Sequence, residues 1–429
     1  MHDYQLFGYD SKDEVLAASK QYWNPDKTQF WQDAGIDLVI DRREGYYLYD
    51  MSGRRLIDVH LNGGTYNLGH RNPEVVAALK AGMELFDVGN HHFPAVTRAA
   101  LAERLIETAP ASLSRVAYAS GGGEAIDIAL KSARHATKKR KIVSIVKAYH
   151  GHTGLAVGTG DDRFSKLFLS DAPEDFPHVP FNDLDAMQRA LSGRDVAAVI
   201  METIPATYGF PLPEPGYLEA VKQLCDQYGA LYIADEVQTG LMRTGELWGI
   251  TKHGIEPDIL VTGKGLSGGM YPIAATLLSD RAGRWLTEDG FGHISTFGGA
   301  ELGCVAALKV LEISTRPAVR SMVHYIGDYI YTRLRRVQQQ YPDWFTGIRA
   351  NGVVFGLEFN NHPEGAKFVM RELYELGVWA IFSTLDPRVL QFKPGILMSA
   401  DMAEDLLHRT SAAIARAALA ARDTARKAS

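Results

Sequence analysis

Cysteine is nearly missing from this chain of 429 residues, which holds only Cys225 and Cys304. Both sit in apolar helical surroundings, which argues against a disulfide framework or a zinc site and predicts two buried free thiols. Long apolar runs are missing as well. No stretch approaches the ~20 residues that cross a bilayer, and Met1, His2 and Asp3 do not lead a basic start into an apolar segment. A cytoplasmic protein without a membrane partner is therefore expected. The net charge is −6, and no basic stripe is interleaved with aromatics, so no nucleic-acid partner is expected either. Any phosphate must be held by a local site. Internal repeats and low-complexity segments are absent too. Glycine, by contrast, is plentiful at 41 residues, which suits many tight loops. The length predicts a large domain with a smaller companion.

Residues 1–30 read as an N-terminal arm. From Gly45 to Asp58, β-rich runs flank Asp50-Met51-Ser52-Gly53 as a hairpin, and helical periodicity follows at 73–88 and 97–108. Apolar runs at 115–119, 141–147, 197–202, 231–234, 259–262 and 273–278 then alternate with helix-like segments at 124–137, 184–191, 216–228 and 301–313. That alternation predicts an α/β architecture with a parallel sheet covered on both faces. Past Pro317 a long amphipathic stretch at 318–340, strands near 353–359 and 389–392, and helices at 364–376 and 402–421 predict a small α+β domain. The expected division is 1–72 (arm and part of the small domain), 73–318 (large domain) and 319–429 (C-terminal small domain).

Ligands in open α/β sheets bind beyond the carboxyl ends of the strands, so residues leaving the apolar runs matter most. Ser120-Gly121-Gly122-Gly123-Glu124 leads from a strand into a helix, and fits either a phosphate cradle or a flexible turn. Ala148-Tyr149-His150-Gly151-His152-Thr153 offers rings that stack on a planar heterocycle, or a polar loop. His150 and His152 lack nearby acidic or cysteine partners, so no metal is expected. Asp235 and Glu236 emerge from a buried run as a carboxylate pair suited to acid–base work, to Mg²⁺, or to a solvated turn. Gly263-Lys264-Gly265 is not a nucleotide-binding P-loop, because Asp258 stands where the earlier glycine belongs and no Ser or Thr follows the lysine. A strand-end lysine between glycines is placed for imine chemistry.

In this order these exits resemble the class III (ornithine/4-aminobutyrate type) aminotransferases, which depend on pyridoxal 5′-phosphate (PLP) and have PLP fold type I. The resemblance covers nearly the whole chain. Its most specific stretch is Asp235-Glu236-Val237-Gln238-Thr239-Gly240 with Arg243-Thr244-Gly245, followed by Lys264 at 29 residues after Asp235. Asn67-Leu68-Gly69-His70, Tyr149-His150-Gly151, Pro257-Asp258 and Ser295-Thr296-Phe297-Gly298-Gly299 also match. The resemblance implies a large domain with a mainly parallel seven-stranded sheet sandwiched by helices. It implies Lys264 as the Schiff-base lysine and proton shuttle, and Asp235 as the partner of the pyridinium nitrogen. Tyr149 and Val237 would cover the two ring faces and Gln238 would reach the phenolic oxygen. Gly121, Gly122 and Gly123 would hold the phosphate, with Glu202 among the cofactor contacts. Thr296 would complete the phosphate site of the neighbouring subunit, so a homodimer is implied. A racemase, epimerase, aminomutase or decarboxylase of the same fold shares these residues and is the alternative; a non-catalytic PLP-binding protein is a further one.

The departures bear on the substrate. Gly121 stands where many members have Ser or Thr, so the cradle leans on backbone donors and Ser120. Gln391 replaces the Arg that in many relatives pairs with a substrate carboxylate, and Thr207 replaces the Glu that shields it. Substrate candidates by position are Tyr66, His92, Tyr208, Arg388 and Gln391, with Tyr46, His91 and Phe93 further afield. Because Gln cannot form a charged pair, either another cation takes the carboxylate, Arg388 being nearest in sequence, or one substrate lacks a carboxylate there. The expectation is that 2-oxoglutarate is a poor partner and that the donor is an amine without, or remote from, an α-carboxylate.

Overall fold

The computed structural model describes residues 8–89, 92–360 and 365–428, with residues 422–428 described by backbone alone. The segment read as an arm is largely helical. Helices Lys12–Ala18 and Pro25–Asp33 are opened by Ser11 and Asn24, whose side chains accept from the N–H groups of Glu14 and Lys27. Asn24 followed by Pro25 is a strong helix-start signal that the mixed composition obscures.

The expected hairpin forms from β2 (Tyr47–Asp50) and β3 (Arg55–Asp58), preceded by the unexpected polar strand β1 (Ile40–Glu44). The central sheet contains β4 (Arg115–Ala119), β5 (Lys141–Ile145), β6 (His178–Val179), β7 (Val196–Glu202), β8 (Leu231–Asp235), β9 (Ile259–Thr262) and β10 (Ala274–Leu278). Their spatial order is β4-β10-β9-β8-β7-β5-β6, a seven-stranded sheet. Every residue of β7, β8, β9 and β10 is buried, as strands covered on both faces require. The helix Gly122–Thr137 lies on one face through Ala125, Ile128, Ala129 and Ala133.

The sheet is parallel with one exception. β10 runs antiparallel to both β9 and β4. Between Thr262 and Ala274 the chain holds one short 3₁₀ turn at Lys264–Ser267 and no α-helix. A parallel return needs a crossover of a dozen or more residues, usually helical, so this connection returns antiparallel.

Beyond the helix Pro317–Gln340, β11 (Phe345–Asn351), β12 (Val354–Phe359), β14 (Ile381–Ser383) and β15 (Asp386–Phe392) form a second sheet in the order β11-β12-β15-β14. The two-residue β13 (Val378–Trp379) pairs in parallel with β3, tying residues 55–58 to the C-terminal part of the chain. Helices Gly365–Glu375 and Ala400–Ala428 pack against each other. Cys225 and Cys304 are buried and free. Among the described residues, no helix is long and apolar enough to cross a membrane, and no cluster of ligands suits a metal.

Candidate active site

The strand exits converge. A cavity of about 200 Å³ is lined by Gly122, Gly123, Tyr149, His150, Gly151, Glu202, Asp235, Val237, Gln238 and Lys264. A second, of about 400 Å³, shares Gly122 and Lys264 and adds Tyr66, Ser120, Gly121 and Ser267. Lys264 thus stands between two spaces, one walled by carboxylates and the other open toward Tyr66.

Asp235 ends β8 with its side chain directed into the cavity. One oxygen accepts from Val237 N at 3.0 Å and the other meets His150 Nδ1 at 2.7 Å, with both residues buried. An ionised carboxylate only accepts, so Nδ1 carries the hydrogen, and Nε2 is left to Ser144 Oγ at 3.3 Å. His150 therefore orients the carboxylate from behind. Its sequence signal was present in Tyr149-His150-Gly151, yet the contact spans 85 residues of chain and no local pattern reports it. Glu202, at the end of β7, accepts from Tyr149 N at 3.2 Å and Ala206 N at 3.0 Å. Burial raises its pKa to about 7, with Asp235 pushing the same way against His150.

Glu236 has the opposite fate to its neighbour. It turns into the core and accepts from the hydroxyls of Thr203 and Thr239 and from the N–H groups of Gly249 and Ile250. The paired carboxylates are thus one group facing the cavity and one structural group, and neither the Mg²⁺ nor the solvated-turn alternative describes them.

Lys264 begins its 3₁₀ turn in the left-handed region at φ 42°. Loss of water around its amine pulls its pKa below the ordinary lysine range, opposed by the charges of Asp235 and Glu202. A lysine so shifted holds more of the free amine that attacks carbonyls. Space for its stem depends on Gly63, where an added Cβ would lie 2.9 Å from Lys264 Cε.

The triglycine segment ends β4 and opens the helix Gly122–Thr137. Its first N–H groups have no carbonyl partners within the helix, and Gly121, Gly122 and Gly123 line the cavities, an arrangement suited to phosphate. The glycines also admit the neighbouring loop. A Cβ at Gly123 would stand 2.8 Å from Thr153 Oγ1, and one at Gly151 would stand 2.8 Å from Gly123 Cα. Ser120 supports this segment differently from expectation, because its hydroxyl and N–H both donate to Glu124, at 2.6 and 2.8 Å. Gln238 lines the cavity with a buried Nε2 that has no hydrogen-bond partner. An unmet amide donor, a lysine, a carboxylate and a bed of N–H groups around one cavity fit the phenolic oxygen, aldehyde, ring nitrogen and phosphate of PLP.

The remaining candidates divide. Tyr66 walls the second cavity, with its ring 4.1 Å from that of His70 and its hydroxyl accepting from Arg43 at 2.5 Å. Tyr208 lies under Lys147 Nζ, 4.8 Å from the ring centroid. Gln391 is buried and accepts from Lys393 Nζ at 2.5 Å. Arg388 is engaged elsewhere, held by both oxygens of Asp386 at 2.9 and 3.0 Å with Glu358 at 3.4 Å. Tyr46 is a core residue, donating to Asn67 O and accepting from Leu397 N. His92, Phe93 and Thr296 are exposed and line neither cavity; the His92 ring is 6.0 Å from that of Phe291. His91 lies outside the described residues.

The sequence profile of the family described as aminotransferase class-III matches residues 31–414. An uncharacterised aminotransferase of Archaeoglobus fulgidus is 43% identical over 391 residues, covering 91% of each chain. Ornithine aminotransferase from Toxoplasma gondii superposes with a TM-score of 0.88 at 26% identity, over 98% of both chains. A second structure of that enzyme, described as having partial occupancy of PLP at its active site, gives 0.86 at 25% identity over 96% of both.

Proposed function

The chain belongs to the class III aminotransferases and is a PLP-dependent enzyme of fold type I, and from that premise we propose that Lys264 and Asp235 carry its chemistry. Bound PLP supplies an aldehyde that condenses with amines and a conjugated ring that holds the electron pair released at the substrate carbon. Lys264 would accept and return the proton at that carbon, its amine pulled below the ordinary lysine range by burial. Asp235, held by His150 and Val237 N, would keep a hydrogen on the ring nitrogen. Tyr149 and Val237 would enclose the ring, Gln238 Nε2 would donate to the phenolic oxygen, and the N–H groups at Gly121–Gly123 would take the phosphate.

The observation that carries this reading is one cavity shared by the Lys264 amine, the Asp235 carboxylate and the unpartnered Gln238 amide. The profile and relatives are aminotransferases, so racemase, aminomutase, decarboxylase and non-catalytic readings are not favoured. The reading extends to a homodimer in which Thr296 completes the partner's phosphate site. Support comes from the exposed apolar side chains Leu85, Phe93, Val96, Phe291, Ile294 and Phe297 around that segment, which a monomer would leave in water. The test is borohydride reduction of the PLP-loaded protein followed by peptide mapping. The cofactor mass is expected on Lys264, and its recovery on another lysine would defeat the assignment.

A further inference from the structure

The polar strand β1 brings an arginine to the open side of Lys264. Side chains of a strand alternate, so Arg42 and Glu44 share one face, where they pair at 3.0 Å, and Arg43 between them lies on the other. Arg43 is half-buried, and its Nη1 donates to the Tyr66 hydroxyl at 2.5 Å. Among the described residues, it pairs with no carboxylate. A guanidinium has five N–H donors and keeps its charge at any working pH, and one phenol oxygen meets one of those donors.

The surroundings fix this pair in place beside the reacting lysine. The Tyr66 ring lies 4.1 Å from that of His70, whose Nε2 is bound to Asp58 at 2.8 Å. Gly269 admits the ring, because any Cβ there would overlap Tyr66 Cδ1. Backbone bonds hold the end of β1 to the same turn: Gly45 N donates to His70 O at 3.1 Å, and His70 N to Gly45 O at 2.5 Å. Tyr66 and Lys264 wall one cavity of about 400 Å³, so a small molecule that approaches the amine through it passes Tyr66. The other candidates bring no free cation there. Gln391 is uncharged and lines neither cavity, and Arg388 is held by both oxygens of Asp386.

Resting on the cofactor site assigned above, we propose that the Tyr66 hydroxyl, held and polarised by Arg43, receives a substrate carboxylate on the open side of Lys264. The phenol oxygen already accepts from Arg43, so its own hydrogen is left to donate, and among the described residues it has no acceptor. A hydroxyl whose oxygen accepts from a cation is the stronger donor for it. The guanidinium behind it adds its charge to the same anion. The ligand class is an amino acid or oxo acid whose carboxylate lies in the second cavity while its reacting carbon faces Lys264. Tyr66 makes the contact, and Arg43 is a positioning residue.

The test uses the PLP-loaded protein and matched donors in which a methyl group replaces the carboxylate: L-alanine with isopropylamine, and 4-aminobutyrate with butylamine. Single-turnover rates are read from the cofactor absorbance. In Tyr66→Phe, which keeps the ring, the preference for the carboxylated member of a pair should fall about 10- to 100-fold, the range of one charge-assisted hydrogen bond. Arg43→Met should lower it by a similar factor, and the double variant by little more than either alone, because both changes act on one contact. PLP affinity, from absorbance titration, should stay within about twofold of wild type. An equal fall for both members of each pair, or a wild type that prefers neither carboxylated donor, would overturn the proposal. A large loss of PLP affinity with the preference intact would assign the pair to the cofactor phosphate and overturn it too. If Tyr66→Phe does not fold, Arg43→Met, a change at a half-buried residue, and the wild-type preference still decide. If borohydride fails to label Lys264, the cofactor reading fails instead, whatever Tyr66 does.

Discussion

Glu236→Gln separates the two adjacent carboxylates by stability alone. Each oxygen of Glu236 accepts one hydroxyl and one backbone N–H: Thr203 and Ile250 on one, Thr239 and Gly249 on the other. A glutamine amide keeps one such oxygen and puts an NH₂ group in place of the other. The threonine hydroxyl there can rotate to accept, but the backbone N–H cannot reverse, so a buried donor faces a donor. Leaving that N–H unmet costs about 1–3 kcal/mol, and weakening the charge-assisted bonds brings the total to about 2–4 kcal/mol. With an unfolding entropy of about 2.1 cal/mol/K per residue, a chain of this length loses roughly 2–4 °C of melting temperature. Scanning calorimetry of the two cofactor-free proteins at one heating rate measures it. A melting temperature within about 0.5 °C of wild type would refute the bonding described, because it would mean the oxygens are met by water or are not buried.

Asp235→Asn should keep the fold and lower transamination on the order of 10³-fold, because an amide cannot hold the ring nitrogen protonated; a near-normal rate in a coupled assay would make Asp235 a turn residue. Gly151→Ala places a Cβ 2.8 Å from Gly123 Cα at a residue with φ +104°, and should weaken PLP binding about tenfold or more by displacing the cradle; an unchanged Kd by absorbance titration would count against it. Glu202 has its folded pKa raised from 4.5 to about 7, so its contribution to the cofactor-free protein is full below pH 4.5 and is lost as pH rises through about 7. Glu202→Gln should therefore gain on wild type by up to about 3 kcal/mol between pH 5 and pH 8, and a pH-independent difference in melting would contradict the shift. Sedimentation at assay concentration should find a dimer, and an active monomer would end the assignment of Thr296 to a partner's site.

The apolar runs made the central sheet legible, because strands buried on both faces leave no polar alternation to confuse them with loops. The residues at their ends, Asp235 and Lys264, stood out for the same reason: charge appears abruptly where burial stops. The direction of β10 was hidden, since an apolar run carries no sign of which way it points, although the short connection after Lys264 held the clue. Polar edge strands such as β1 and β11 were also hidden, their patterns being those of exposed chain. The fates of Glu236 and His150 depend on contacts across loops, which no local window reports.

The antiparallel β10 has a consequence for assembly of the chain in time. β4, which delivers the glycine cradle, and β9, which delivers Lys264, do not touch; each is hydrogen-bonded to β10 between them. During synthesis β4 emerges more than 150 residues before its only sheet partner, and until Ala274–Leu278 arrive its edge is unpaired. A nascent chain that ends before β10 can pair β7, β8 and β9 but cannot bring phosphate donors to the lysine. Cofactor capture is thereby made a late event, and a ribosome-bound fragment stopped before residue 274 should hold an open strand edge at β4 that recruits chaperones.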